Sequence, residues 1–204
     1  MKHVSLIFFS FALTSCALLE TSDPLSLYTL QSGSFEQTNL FTDSMAIDAP
    51  LCEASLNTNR IALTLSPYQR EYFADASWPD RLPDVFQEVL LEGLSQRWGG
   101  AYVNRLKTGL QTKYVLHTEI QDFSVHNMNT AQAEATLKVR FKLIDLRERK
   151  VIDSRVFKEK VPLCTVSMEG IVTAFNEGIH ILLENTVSWM EKDVSKKLKL
   201  LNYK

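Results

Sequence analysis

Cys16 is the residue whose surroundings point to the most specific chemistry. It closes the tetrapeptide Leu13-Thr14-Ser15-Cys16, an aliphatic residue, two small residues and a thiol. Small side chains fit a peptidase pocket, and a thiol left at a new N-terminus can carry a diacylglycerol. The tetrapeptide resembles a bacterial lipobox. Lys2 and His3 give a short positive stretch, and Val4 to Leu13 is an apolar run. That run is about half the roughly 20 residues that span a bilayer, the length of a secretory signal core. The expectation is a signal peptide over residues 1–15 and acyl chains, palmitate among them, on Cys16. The competing reading is an ordinary signal peptide with a chance cysteine. Ala17 follows the thiol. In lipoproteins of enteric type an Asp there retains the protein at the inner membrane, so by that resemblance the outer membrane is favoured.

The other thiols are Cys52 and Cys164. In an oxidising compartment an even pair can bridge. A Cys52–Cys164 disulfide would close a loop of roughly 110 residues, for which chain entropy gives on the order of 4–5 kcal/mol. The alternative is two free buried thiols behaving as small hydrophobes. No Cys/His spacing indicates zinc, and no nucleophile elbow, phosphate loop or dinucleotide fingerprint occurs. His117 falls on the wet parity of a strand, His126 in a loop and His180 beside an apolar helix stripe. The acidic residues are scattered, so no catalytic pair, cofactor or metal is expected, and the protein reads as a non-enzyme.

Two segments have the residue types of contact surfaces. One is the loop Tyr68-Gln69-Arg70-Glu71-Tyr72-Phe73 with Trp78 beyond it, rich in the aromatics and Arg that anchor interfaces. Tyr68, Arg70, Tyr72, Phe73 and Trp78 are therefore candidate partner contacts, against the alternative that some of these rings cover the core edge. The other is the tail over residues 194–204. There Lys196, Lys197, Lys199 and Lys204 interleave with Val194, Leu198, Leu200 and Leu201, after Lys192. A basic amphipathic extension can lie on anionic lipid. A solvated helix end complementing the helix dipole explains it as well.

These residues need elements to position them. The chain has 204 residues, 45% hydrophobic and 23% charged, with net charge −2. That is one ordinary domain, and no basic field points to nucleic acid. Residues 16–26 read as the lipidated N-terminus and tether, and 27–193 as the domain. Leu27–Leu30 and Arg60–Leu65 are strand candidates, and residues 31–57 are polar and turn-rich. Leu82, Val85, Phe86, Val89, Leu90 and Leu94 form a helical stripe, with Asp80 as N-cap and Gly99 as stop. Tyr114–Asp122 alternates. In Ala131–Leu143 every odd position is apolar, one buried and one wet face. Residues 147–150 turn into a partner strand, Val151–Val161. Ser167 caps a long helix whose stripe runs from Ile171 to Met190. The order β-β-α-β-β-β-α predicts an α+β fold, a mostly antiparallel sheet of about four or five strands with two helices on one face. Three alanines on the buried face of Ala131–Leu143 predict close helix-on-sheet packing, against the alternative of an alanine-lined lipid cavity.

Several of these pieces stand in an order that resembles the ABC-type transport auxiliary lipoproteins, the family that includes paraquat-inducible protein C. They are Cys16, Leu27-Tyr28-Thr29-Leu30, the strand ending Leu65-Ser66-Pro67-Tyr68-Gln69-Arg70, and the helix start Trp78-Pro79-Asp80-Arg81-Leu82-Pro83. Tyr114-Val115-Leu116 to Phe123 and the final helix from Thr173 to Trp189 and Met190 complete the order. The segment between Tyr68 and Trp78 is shorter than the family's, and Cys52 and Cys164 lie outside its pattern. The resemblance implies a non-enzymatic, periplasm-facing auxiliary subunit of a lipid transport system of the mammalian-cell-entry type. It would bind the membrane through its acyl chains and a periplasmic transporter subunit through its body, and ring-like homo-oligomers would suit that role. A lipid-binding carrier or an outer-membrane assembly lipoprotein is the alternative.

Overall fold

The computed structural model describes residues 25–38, 43–99, 102–108, 111–130 and 132–201, the last three as backbone alone. Its frame is three long strands, β7 (Tyr114–His126), β8 (Glu134–Asp145) and β9 (Lys150–Pro162), in antiparallel register from Tyr114↔Asp145 to His126↔Glu134 and from Asp145↔Lys150 to Glu134↔Pro162. The alternation on β8 does what it predicts. Ala135, Leu137, Val139, Phe141 and Leu143 are all buried, and Lys138, Arg140 and Lys142 line the wet side. Ala131 lies outside the described residues.

The sheet is larger and more mixed than expected. Among the described residues it has nine strands, and the expectation of a mostly antiparallel sheet of four or five is incorrect. The second edge of β7 is shared in tandem by three parallel neighbours: β2 (Met45–Ile47) at its start, β3 (Leu51–Cys52) in the middle and β4 (Arg60–Ser66) at its end. From there the sheet forks. β6 (Val103–Arg105) adds in parallel to β2, while β5 (Gln69–Ser77) pairs antiparallel with β4 and carries β1 (Ser26–Leu27) on its far side. The physical reason is burial. Met45, Ala46 and Ile47 are buried on both faces, so no period of two marks them. The aromatic segment read as a loop is most of β5, and His126, also placed in a loop, ends β7.

The helices cover one face. α1 (Leu82–Trp98) and α2 (Met168–Trp189) share a single hydrophobic core with the inner residues of β7 and β8. Arg81 occupies the N-cap of α1 without a side-chain bond, and Asp80 Oδ1 instead accepts the Arg81 N–H at 2.7 Å. Gly99 ends that helix at φ 84°, a left-handed conformation that glycine adopts without penalty. Ser167 caps α2 as predicted, accepting the Gly170 N–H at 3.1 Å. Gly178 lets α2 approach the sheet closely: a β-carbon there would stand 2.6 Å from Leu137 Cδ1. Val161, beside the same glycine, pairs in register with Ala135, which fits the close packing expected from the alanine row. Phe123 and Phe175 stack at 4.5 Å between sheet and helix.

The packed body continues past residue 193. A π-helical turn, Met190–Val194, leads into α3 (Ser195–Leu201), and both Met190 and Val194 are fully buried. Among the described residues no helix is long and apolar enough to cross a membrane.

Candidate functional site

The five residues singled out as partner contacts lie on one hairpin and its continuation, but the fold gives them different roles. Tyr68 sits in the turn between β4 and β5 and is 98% exposed. Arg70 and Tyr72 stand opposite Thr64 and Ala62 on β4. The Arg70 guanidinium bonds Glu53 and Ser55 Oγ, and Tyr72 O–H donates to the Ser55 carbonyl at 2.9 Å. Arg60 lies 4.2 Å above the Tyr72 ring. Arg70 and Tyr72 thus staple residues 53–55 onto the hairpin. Phe73 is half-buried against the core. Trp78 is 1% exposed, edge-on to Phe123 and Phe175 at 6.1 and 5.8 Å. Of the five, Tyr68 projects into solvent from the turn, whereas Arg70 and Tyr72 are held on residues 53–55 and Phe73 and Trp78 pack on or in the core.

A cluster that the sequence reading passed over stands at the end of β7. Ser124 Oγ donates to Asp122 Oδ1 at 2.7 Å and lies 2.8 Å from Thr64 Oγ1. His126 Nε2 is 2.8 Å from Asp122 Oδ2 and 3.1 Å from Ser124 Oγ. Alternate residues of one strand share a side, so the spacing Asp122-x-Ser124-x-His126 was the signal. The wiring is not that of a nucleophile relay. A relay needs the hydroxyl on one ring nitrogen and the carboxylate on the other. Here Nε2 faces both partners, and Ser124 is fully buried. The cluster ties β4 to β7. Among the described residues no group of three or more His, Cys, Asp or Glu could hold a metal ion.

Cys52 lies half-buried on β3 and Cys164 is exposed after β9, both as free thiols, so the Cys52–Cys164 bridge is not formed in this structure. β7 and β8 stand between the two strands. Neighbouring strands are about 4.8 Å apart, so the three spacings from β3 to β9 come to about 14 Å, beyond the roughly 7 Å reach of a disulfide. Burial pushes the Cys52 thiol pKa up, opposed by nearby Arg81. Cys16, the signal segment and tether residues 17–24 lie outside the described residues.

Two further features came from pairs too distant in sequence to read. The first is a clasp at the end of α2. Glu191 accepts from Arg97 Nε and Nη2 at 3.0 and 3.1 Å, from Trp98 Nε1 at 3.0 Å and from Thr38 Oγ1 at 3.0 Å. Burial works to raise its pKa, but these donors outweigh it and hold the carboxyl below the ordinary value. Asp153 on β9 behaves alike. Burial is opposed by Lys197 Nζ at 2.7 Å and Trp189 Nε1 at 2.8 Å, and its pKa is lowered. Lys197, expected in a basic extension, is thereby folded onto the body.

The second is a groove of about 280 Å³ between residues 29–30 and α1. Leu30, Val85 and Val89 are buried in its floor. Asp80, Asp84, Glu88 and Glu92 edge it at four-residue steps. Arg81 meets Asp84 at 2.8 Å and Arg105 meets Glu88.

Comparison with known proteins places this geometry. Residues 28–185 match the family of the ABC-type transport auxiliary lipoprotein component. Protein XCC0632 from Xanthomonas campestris has the same fold, with a TM-score of 0.69 at 15% identity over 87% of this chain and 98% of that one. A second solved structure, of an uncharacterised protein, gives a TM-score of 0.63 at 13% identity over 80% of this chain and 97% of that one. No curated protein compared with the chain matches it. The chain belongs to the ABC-type transport auxiliary lipoprotein family, a family of envelope lipoproteins that serve a transporter as auxiliary components.

Proposed function

Starting from that membership, we propose that the protein is a non-enzymatic subunit tethered through acyl chains on Cys16 and facing the periplasm. It docks the periplasmic, mammalian-cell-entry type subunit of a lipid transport system. The observation that carries the reading is the family match over residues 28–185, set downstream of the thiol of Leu13-Thr14-Ser15-Cys16. The body supports it in two ways. His126 Nε2 faces both Asp122 and Ser124, which is not the arrangement of a nucleophile relay, and Phe123 stacks on Phe175 between sheet and helix. Ala17 after the thiol supports the outer membrane.

The test has two parts. Wild-type protein should take up radiolabelled palmitate and fractionate with membranes, and Cys16→Ser should do neither. Crosslinked wild-type protein, purified from its host, should bring with it a mammalian-cell-entry domain subunit. Absence of both the label and the subunit refutes the reading. Retention of a stoichiometric lipid by the delipidated body in native mass spectrometry would favour a carrier instead.

A further inference from the structure

We propose that the groove beside α1 docks a basic amphipathic helix of a partner protein. Its floor is apolar, and its size sets the occupant. At about 280 Å³ it falls below the range of roughly 300–1,000 Å³ that encloses whole small molecules. It suits one or two protruding aliphatic side chains rather than a lipid. Leu30, Val85 and Val89 present that floor and hold no charge.

The edge sets the chemistry of the occupant. Asp80, Asp84, Glu88 and Glu92 stand four residues apart along the helix and the turn before it. Four residues of a helix advance about 6 Å. A partner helix laid along α1 repeats at the same step, so Lys or Arg every fourth residue meets this row in register. Apolar side chains on the adjoining stripe then face Val85 and Val89, as in other helix-in-groove contacts. The row is not neutralised from within. Among the described residues Arg81 pairs with Asp84 and Arg105 with Glu88, against four carboxylates in the row. A second acidic helix or an anionic headgroup would be repelled.

The inference goes beyond the adaptor reading and rests on it only in needing a protein partner. Its test is therefore made without the transporter. The full chain in neutral detergent is titrated into a fluorescent Leu/Lys/Ala peptide of about five helical turns. Leu occupies one stripe, with Lys beside it at four-residue steps. The control peptide carries Glu in place of every Lys. Anisotropy should report saturable binding of the Lys peptide alone. Glu92→Lys should weaken it about fivefold, the upper range for an exposed ion pair, with further loss from reversed charge. Thr29→Trp, at an exposed position on the rim, should fill the groove and abolish binding with the melting temperature unchanged. Equal affinity for both peptides, or undiminished binding by both variants, overturns the proposal. Co-purification of the wild-type protein with its transporter is a separate measurement: its failure beside intact peptide binding would refute the adaptor reading and leave the groove standing.

Discussion

Glu191→Ala should be among the most damaging single changes to a residue outside the apolar core. The Glu191 side chain is 9% exposed and takes four donors from two separate segments, the end of α1 and Thr38. Alanine removes the carboxylate that accepts from Trp98, Thr38 and Arg97. Losing one member of a buried pair costs about 3–5 kcal/mol. Arg97 remains 23% exposed and keeps the Glu36 carbonyl at 3.1 Å, so the lower end applies, about 3 kcal/mol. For a body of this size that lowers Tm by about 6–12 °C. Glu191→Gln retains an acceptor oxygen for Trp98 and Thr38 while losing the charge opposite Arg97, and should cost about half as much. Far-ultraviolet circular dichroism during thermal and urea unfolding of both variants measures this. A loss under about 1 kcal/mol for alanine, or equal losses for alanine and glutamine, would refute the reasoning.

Acid should expose the same clasps. Glu191 and Asp153 have native pKa values below their unfolded ones, so they contribute fully above about pH 4.3 and the contribution disappears as pH falls through the lowered native values. Tm should be level near neutrality and drop through that window, with a smaller drop in Glu191→Gln. Trp78→Ala should cost about 3–5 kcal/mol in urea unfolding, whereas Tyr68→Ala should stay within about 0.5 kcal/mol of wild type. Gly178→Leu should cost about 1–3 kcal/mol by driving α2 off Leu137, read in the same way. Maleimide should label the exposed Cys164 well ahead of Cys52 in native, unreduced protein. A Cys164 that labels only after reduction would show a bridge absent from this structure.

Legibility in the sequence tracked burial on one face. β8 and α2 were readable because one side is wet and the other dry, which writes a period of two or of 3.6 into the residues. β2 was not, since Met45-Ala46-Ile47 is buried on both faces and two or three residues carry no period. β5 was hidden because Arg70 and Tyr72 spend their polar groups on residues 53–55, so its alternation looks like a loop of mixed types. Trp78 reads as a candidate contact because aromatic rings anchor interfaces, but large rings end in cores as readily, and this one is 1% exposed. The groove was half visible: acidic residues at 80, 84, 88 and 92 share a helical side in sequence, while Leu30 reaches it only through the fold.

The clasp at Glu191 also sews the two ends of the polypeptide together. Tyr28 and Gln31 bond Glu169 and Asn176 on α2, and Thr38 shares the carboxylate of Glu191 with Arg97 and Trp98. A protease that clipped the chain just beyond Trp189 would therefore also release Thr38, while Tyr28 and Gln31 kept their partners on α2. Damage at the tail would thus reach a segment 153 residues earlier in the chain, through the single carboxylate that both share.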